Sequence, residues 1–149
     1  MSLIEEIERE YLKAYKNQDK ITVSVLRILR AYLKNKQVEQ RGKLEEADSL
    51  AVLRGLIRQG KESIEQFSKG GRPDLVEKEK AELEVLSAFL PTQAPVEEID
   101  QIIEQVIREV KAVTLKDMGK VMKPVMTRLA GRADGQMIQA KVKEKLSQG

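Results

Sequence analysis

The chain has 149 residues, 41% hydrophobic and 34% charged, with only 3% aromatics and a formal net charge of +3. This is enough for one domain or two small ones around an aliphatic core, and too apolar for wholesale disorder. Cysteine and histidine are both absent, which excludes a disulfide, a thiolate nucleophile, a Ser-His-Asp triad and a cysteine or histidine zinc site.

Ser2 with Glu5 three residues on is a capping-box pattern that opens a first helix. Leu3, Ile7, Tyr11 and Ala14 then recur on one face, and Asn17, Gln18 and Asp19 break the pattern. A second helix carries Val25, Leu26, Leu29, Tyr32 and Leu33 as far as Gln40, with Gly42 marking its end. Glu45, Glu46 and Asp48 suit the start of a third helix, where the macrodipole favours acids. Its stripe is Val52, Leu53, Leu56, Ile57, Ile64 and Phe67. Gly70-Gly71-Arg72-Pro73 is a helix stop followed by a helix start. A fourth helix with Leu75, Val76, Leu83, Leu86, Phe89 and Leu90 ends at Pro91, and Pro91 with Pro95 makes a stiff linker.

A fifth helix buries Ile99, Ile102, Ile103, Val106, Ile107 and Val110. Thr114 and Asp117 open a sixth, Gly131 ends it, and Asp134 caps a seventh whose inner face is Ile138, Val142 and Leu146. No stretch alternates at period two. The expected fold is all-α: an N-terminal four-helix unit over residues 1–91, then a small C-terminal three-helix unit over residues 96–149. No apolar run approaches the ~18 residues of a membrane span, so no membrane partner is expected. The acidic N-terminus lacks a signal-peptide layout, and a cytoplasmic location is expected.

The charge is uneven. Residues 111–149 carry nine Lys/Arg and three Asp/Glu, a net of +6, whereas residues 1–110 carry 18 and 21, a net of −3. On a helix at about 100° per residue, Leu115, Met118, Val121, Met122, Val125, Met126 and Leu129 share one arc. Lys116, Lys120 and Lys123 form a stripe opposite, with no acid among them. A solvated face usually mixes signs for i,i+4 pairs; an all-basic stripe suits a polyanion. Gly119 costs the helix roughly 1 kcal/mol against alanine, so a close approach by another helix is expected there. Pro124 removes a donor in mid-helix and predicts a kink around residues 120–124. Gly131, Asp134 and Gly135 bracket a tight turn. Arg132 within it has no structural duty visible in the sequence, which makes it the best single candidate for a phosphate contact. The methionines at 118, 122, 126 and 137 read as core filling.

The pattern MGKVM…VM…GRADG at residues 118–135 resembles the YqeY family, together with VLR at 25–27, KESIEQF at 61–67 and GRPDLVEKEKAELEVLSAFLPTQ at 71–93. The resemblance covers essentially the whole chain. Gly60, where the family usually has Arg, and Pro124 depart from it. These small bacterial proteins are related to the tail domain of the B subunit of the tRNA-dependent amidotransferase. The resemblance implies a longer N-terminal bundle peculiar to the family and a C-terminal three-helix unit shared with the amidotransferase, where the tail helps hold the tRNA body. It narrows the polyanion to tRNA and suggests an aminoacyl-tRNA amidation complex as the setting. The label of a carbon–nitrogen ligase with glutamine as amide donor is not supported as a stand-alone activity. The chain has no P-loop pattern and no equivalent of the amidase nucleophile or the kinase-like cradle. No catalytic residue, cofactor or metal is expected. Glu77, Glu79, Glu82 and Glu84, alternating with Lys78 and Lys80, read as a solvated face.

Two functions fit these residues. A non-enzymatic tRNA-binding module would use Lys116, Lys120, Lys123, Arg128 and Arg132, with Lys141, Lys143 and Lys145 as secondary contacts, mainly to phosphates. Tyr11, Tyr15, Tyr32, Phe67 and Phe89 fall in apolar stripes, which leaves no surface for base stacking. The alternative is a helical protein–protein adaptor whose N-terminal helices are the working surface and whose basic tail docks on an acidic partner. Residues 44–110 hold eight basic and 15 acidic groups, a net of −7, so only part of the molecule can face a nucleic acid.

Overall fold

A computed structural model describes residues 1–147. Among them are seven α-helices and no strand: α1 (Leu3–Lys16), α2 (Lys20–Gln40), α3 (Glu46–Lys69), α4 (Pro73–Ser87), α5 (Val96–Val110), α6 (Met118–Leu129) and α7 (Gly135–Ser147). A 3-10 turn at Leu115–Asp117 leads into α6.

The helix ends follow local chemistry. Ser2 Oγ accepts the Glu5 amide at 3.2 Å. The Asp19 carboxylate takes both the amide and the hydroxyl of Thr22, at 3.2 and 2.7 Å. Glu45 and Asp48 cap α3 reciprocally, and Pro73 opens α4. α3 stops as the glycine rule expects, at Gly70 with Gly71 at φ 69°, but three other stops differ from it. Arg41, Lys111 and Ala130, with φ of 57°, 56° and 49°, take the left-handed position after α2, α5 and α6. So α2 turns on Arg41 rather than on Gly42. α4 stops at Ser87, short of Pro91, because Phe89 and Leu90 bond back three residues and close tight turns.

Contacts gather the chain into two compact units, Met1–Leu90 and a second beginning at Pro91. In the first, α1 gives Leu3 and Ile7 to the core, α2 gives Val25, Leu26, Leu29 and Leu33, α3 gives Leu53 and Ile57, and α4 gives Leu86. The Leu3 amide donates to Glu46 Oε1 at 2.8 Å, joining the starts of α1 and α3. Arg30 joins α2 to α1: its Nε donates to Glu8 at 2.7 Å, and its guanidinium lies 4.2 Å from the Tyr11 ring centre. Tyr32 is not part of the buried stripe as expected; it is 47% exposed, and Tyr15 is exposed as well. Tyr32 sits about 70° off the centre of the α2 core arc, enough to swing a long side chain to solvent.

Glu79 and Glu82 of α4 are half-buried rather than fully solvated. Burial first, and the Glu82 charge second, push the Glu79 carboxyl above its ordinary range. A carboxyl raised in the folded state favours folding at low pH, and that contribution is lost as pH rises through the folded pKa. Glu79→Gln is therefore expected to raise the melting temperature at pH 7, with the gain vanishing in acid. A gain of the same size at both pH values would mean the carboxylate carries no burial penalty.

In the second unit the three helices contribute matching triplets at i, i+4 spacing or close to it. These are Ile99, Ile103 and Val106 from α5, Val121, Val125 and Leu129 from α6, and Ile138, Val142 and Leu146 from α7, with Ala94 and Ala133 between them. α6 runs without interruption through Pro124. A mid-helix proline costs about 3 kcal/mol or more; burial of Val121, Val125 and Leu129 on both sides offsets it and keeps one helix.

Candidate nucleic-acid interface

The basic stripe is built from the start of α6. The Asp117 carboxylate accepts the amides of Val113 and Thr114 at 2.9 and 3.3 Å, which hold it below the usual carboxylate range. The helix expected from Thr114 therefore begins as a tighter 3-10 turn and becomes α-helical only at Met118. Lys116, Lys120 and Lys123 all project from this segment into solvent. Lys116 and Lys123 pair with no carboxylate among the described residues. Lys120 Nζ lies 3.8 Å from Asp117 Oδ1, with its side chain 71% exposed.

Gly119 belongs to the same side. A Cβ placed there would meet nothing within 4 Å, so no other helix packs on it, contrary to expectation. What the glycine does instead is leave bare backbone between the lysines.

The other basic candidates are differently placed. Arg132 donates a two-toothed pair of bonds to Glu98, at 3.0 and 3.1 Å. Its carbonyl also accepts the Ala94 amide at 2.7 Å. The residue without visible structural duty in the sequence thus ties the turn before α7 to α5 and to the segment ahead of it. Arg128 forks onto Glu109 and holds that carboxylate below its ordinary range. Lys141 reaches Asp100 at 3.1 Å, and Lys145 reaches Glu104 at 3.0 Å. Lys143 is exposed on α7 and meets no carboxylate among the described residues. Asp134 Oδ1 accepts the Gln136 amide at 3.0 Å, as a cap of α7 should. Ala130 and Gly131, at φ 49° and 80°, form the turn together, and Gly135 lies under Met126.

Lys116, Lys120 and Lys123 are therefore brought together on one open face, while Arg128, Arg132, Lys141 and Lys145 are engaged by α5. The residues the sequence reading missed are the acids of α5. Glu98 and Glu109 flank one side of its buried stripe and meet the basic groups at 128 and 132; Asp100 and Glu104 flank the other and meet those at 141 and 145. Counted from residue 91, the unit has ten basic and eight acidic groups, a net of only +2. The signal was the two i,i+4 basic pairs facing acids on a helix bounded by the same core. The Arg132 and Glu98 side chains are 37% and 39% exposed, so their coupling in a double-mutant cycle is expected to be at most about 1 kcal/mol. Zero coupling would remove the role of the Arg132 side chain, leaving only its carbonyl bond to Ala94.

The family described as "Yqey-like protein" matches residues 4–146. The curated protein "Altered inheritance of mitochondria protein 41, mitochondrial" of Lachancea thermotolerans is 33% identical over 144 residues, 91% of this chain and 76% of that protein. Its namesake in Pyrenophora tritici-repentis is 26% identical over 142 residues, covering 93% and 77%. An uncharacterized protein of Schizosaccharomyces pombe is 32% identical over 88 residues, covering 59% and 72%. These names correct the expectation of a cytoplasmic protein, since the first two relatives are named as mitochondrial. The match runs from the first turns of α1 to the last of α7, and the chain belongs to the YqeY-like family.

Proposed function

We propose that the chain is a non-enzymatic tRNA-binding module working beside aminoacyl-tRNA amidation. In this reading the four N-terminal helices form one domain and the three C-terminal helices form the binding domain. The names of the relatives would set that work in mitochondria. The observation that carries the reading is the open face of α6, where Lys116, Lys120 and Lys123 stand around the uncovered Gly119. A phosphate backbone needs cations open to it and room to come close. Lys116 and Lys123 are unpaired among the described residues, Lys120 is held only by an exposed contact to Asp117 at 3.8 Å, and the flank is bare. Arg128, Arg132, Lys141 and Lys145 would have to give up carboxylate partners first, so they hold the fold and contribute little to binding.

The test is tRNA binding by the full chain at low salt. Lys116→Glu, Lys120→Glu and Lys123→Glu together are expected to weaken binding by at least about tenfold. Arg128→Ala with Lys145→Ala should change it by less than about twofold. Absence of binding by the unaltered chain, or equal losses in the two variants, would sink the reading.

A further inference from the structure

The densest unpaired basic segment lies elsewhere. Residues 20–43 hold seven Lys/Arg and one acid, Glu39, a net of +6 in 24 residues. Arg30 is occupied by Glu8, but Lys20, Arg27, Lys34 and Arg41 meet no carboxylate among the described residues. They recur every seven residues, so on α2 and its C-cap they form a single row along about 30 Å of helix. Next to this row, Ile21 and Ile28 also recur at seven and are 53% and 50% exposed. Between the two rows lie Ser24 and Ala31, again seven apart and exposed. One side of α2 fills the core of its unit; the opposite side stays open, with Ile28 edging a groove shared with Leu56 and Leu83 and Arg27 and Lys34 edging one shared with Ile4 and Glu8.

Burial in a single globular core asks for a broad stripe at period 3.6 on the inner side only. A second, outward pattern that repeats at seven over two heptads, with Asn35 and Val38 next in register, matches the seam of a short coiled coil: apolar Ile21 and Ile28 at one seam position, small Ser24 and Ala31 at the other, and a flanking row of one charge sign. We infer that the outer face of α2 is a docking seam for an acidic amphipathic helix of a protein partner. The small seam residues admit large apolar side chains and a close backbone. The basic row selects Glu or Asp at the flanking positions opposite. Charge also says what does not dock there. A second copy packed antiparallel sets this cationic row against itself. A parallel copy would set only Tyr32 and Glu39 against that row, since Val25 is turned into its own core. An RNA strand would leave the isoleucine ridge in water and find one aromatic ring, Tyr32, for stacking.

The test uses the full chain and two synthetic helical peptides of about three heptads. Both have leucine along the seam; one has glutamate and the other lysine at the flanking positions. The glutamate peptide is expected to bind at least about tenfold more tightly than the lysine peptide. Arg27→Glu with Lys34→Glu should reverse that preference. Ile28→Gln should weaken binding without altering the preference; its side chain is already half in water, and unchanged thermal melting shows that the fold is kept. If the glutamine variant melts early, Ile28→Ala should give a smaller loss of the same sign. Lys116→Glu, Lys120→Glu and Lys123→Glu together should leave peptide binding intact, which separates this surface from the RNA reading. The inference is overturned by no binding of the glutamate peptide, by equal binding of the two peptides, or by indifference of binding to Ile28. It is also overturned by an RNA oligonucleotide, rather than the peptide, depending on Arg27 and Lys34, or by self-association through Ile28.

Discussion

Replacing Ile103 with alanine is expected to cost the second unit about 2–5 kcal/mol, while the first unit keeps its stability. Ile103 is fully buried at the middle of α5, among Val106, Val121, Val125, Ile138 and Val142. Truncation removes three carbons, and the packed aliphatic walls cannot collapse fully into the gap. A unit of about 60 residues is stable by only ~3–9 kcal/mol, so the loss is a large share of the total. The two cores share no buried residue, which is why the effect should stay local. Amide exchange followed residue by residue in denaturant would show α5, α6 and α7 opening early, with α1 to α4 unchanged. Leu29→Ala, in the middle of the other core, should give the mirror image. A single transition that shifts as a whole would show instead that both cores unfold together. Since α6 is positioned by this core, tRNA binding should disappear at the denaturant concentration where the second unit opens.

What the sequence disclosed and what it hid follow from range. The helices are legible because Leu3–Ile7 or Val121–Val125–Leu129 spacing is a local signal, and caps such as Asp19 and Asp134 act within four residues. The errors lie where a local rule met a longer-range answer. Tyr32 has the type of a stripe residue and the angle of a marginal one. Packing is the usual offset for a helical glycine, but the flank of Gly119 is open. Arg132 looked idle because its partner, Glu98, stands 34 residues earlier, beyond any spacing rule. Summing charge over residues 111–149 cut α5 from the two helices whose cations it neutralises. The same summing over residues 1–110 hid the basic row of α2 beneath the acids of α3 to α5. Net charge by segment says how much charge there is, whereas function depends on which charges remain unpaired after folding.

That distinction has a measurable size. Between 50 and 200 mM monovalent salt, the intact chain is expected to lose about 40-fold in tRNA affinity. Three lysines, each displacing the counterion of one phosphate at a slope near −0.9, give a slope of about −2.7 in log affinity against log salt. A fourfold rise in salt then accounts for the loss. Had all eight candidate contacts of the tail, Lys116 to Lys145, been free to bind, the slope would be about −7 and the loss above ten-thousand-fold. The slope therefore counts contacts and discriminates between the face left open by folding and the charge total of the sequence. Charge reversal at Lys116, Lys120 and Lys123 should flatten the slope as it weakens binding, whereas Arg132→Ala should leave it unchanged. A slope near −7 would mean that tRNA pulls Arg128, Arg132, Lys141 and Lys145 away from the acids of α5. The second unit would then have to loosen on binding, because those ion pairs join α5 to α6 and α7. A slope near zero would remove phosphate contact from this protein's function altogether.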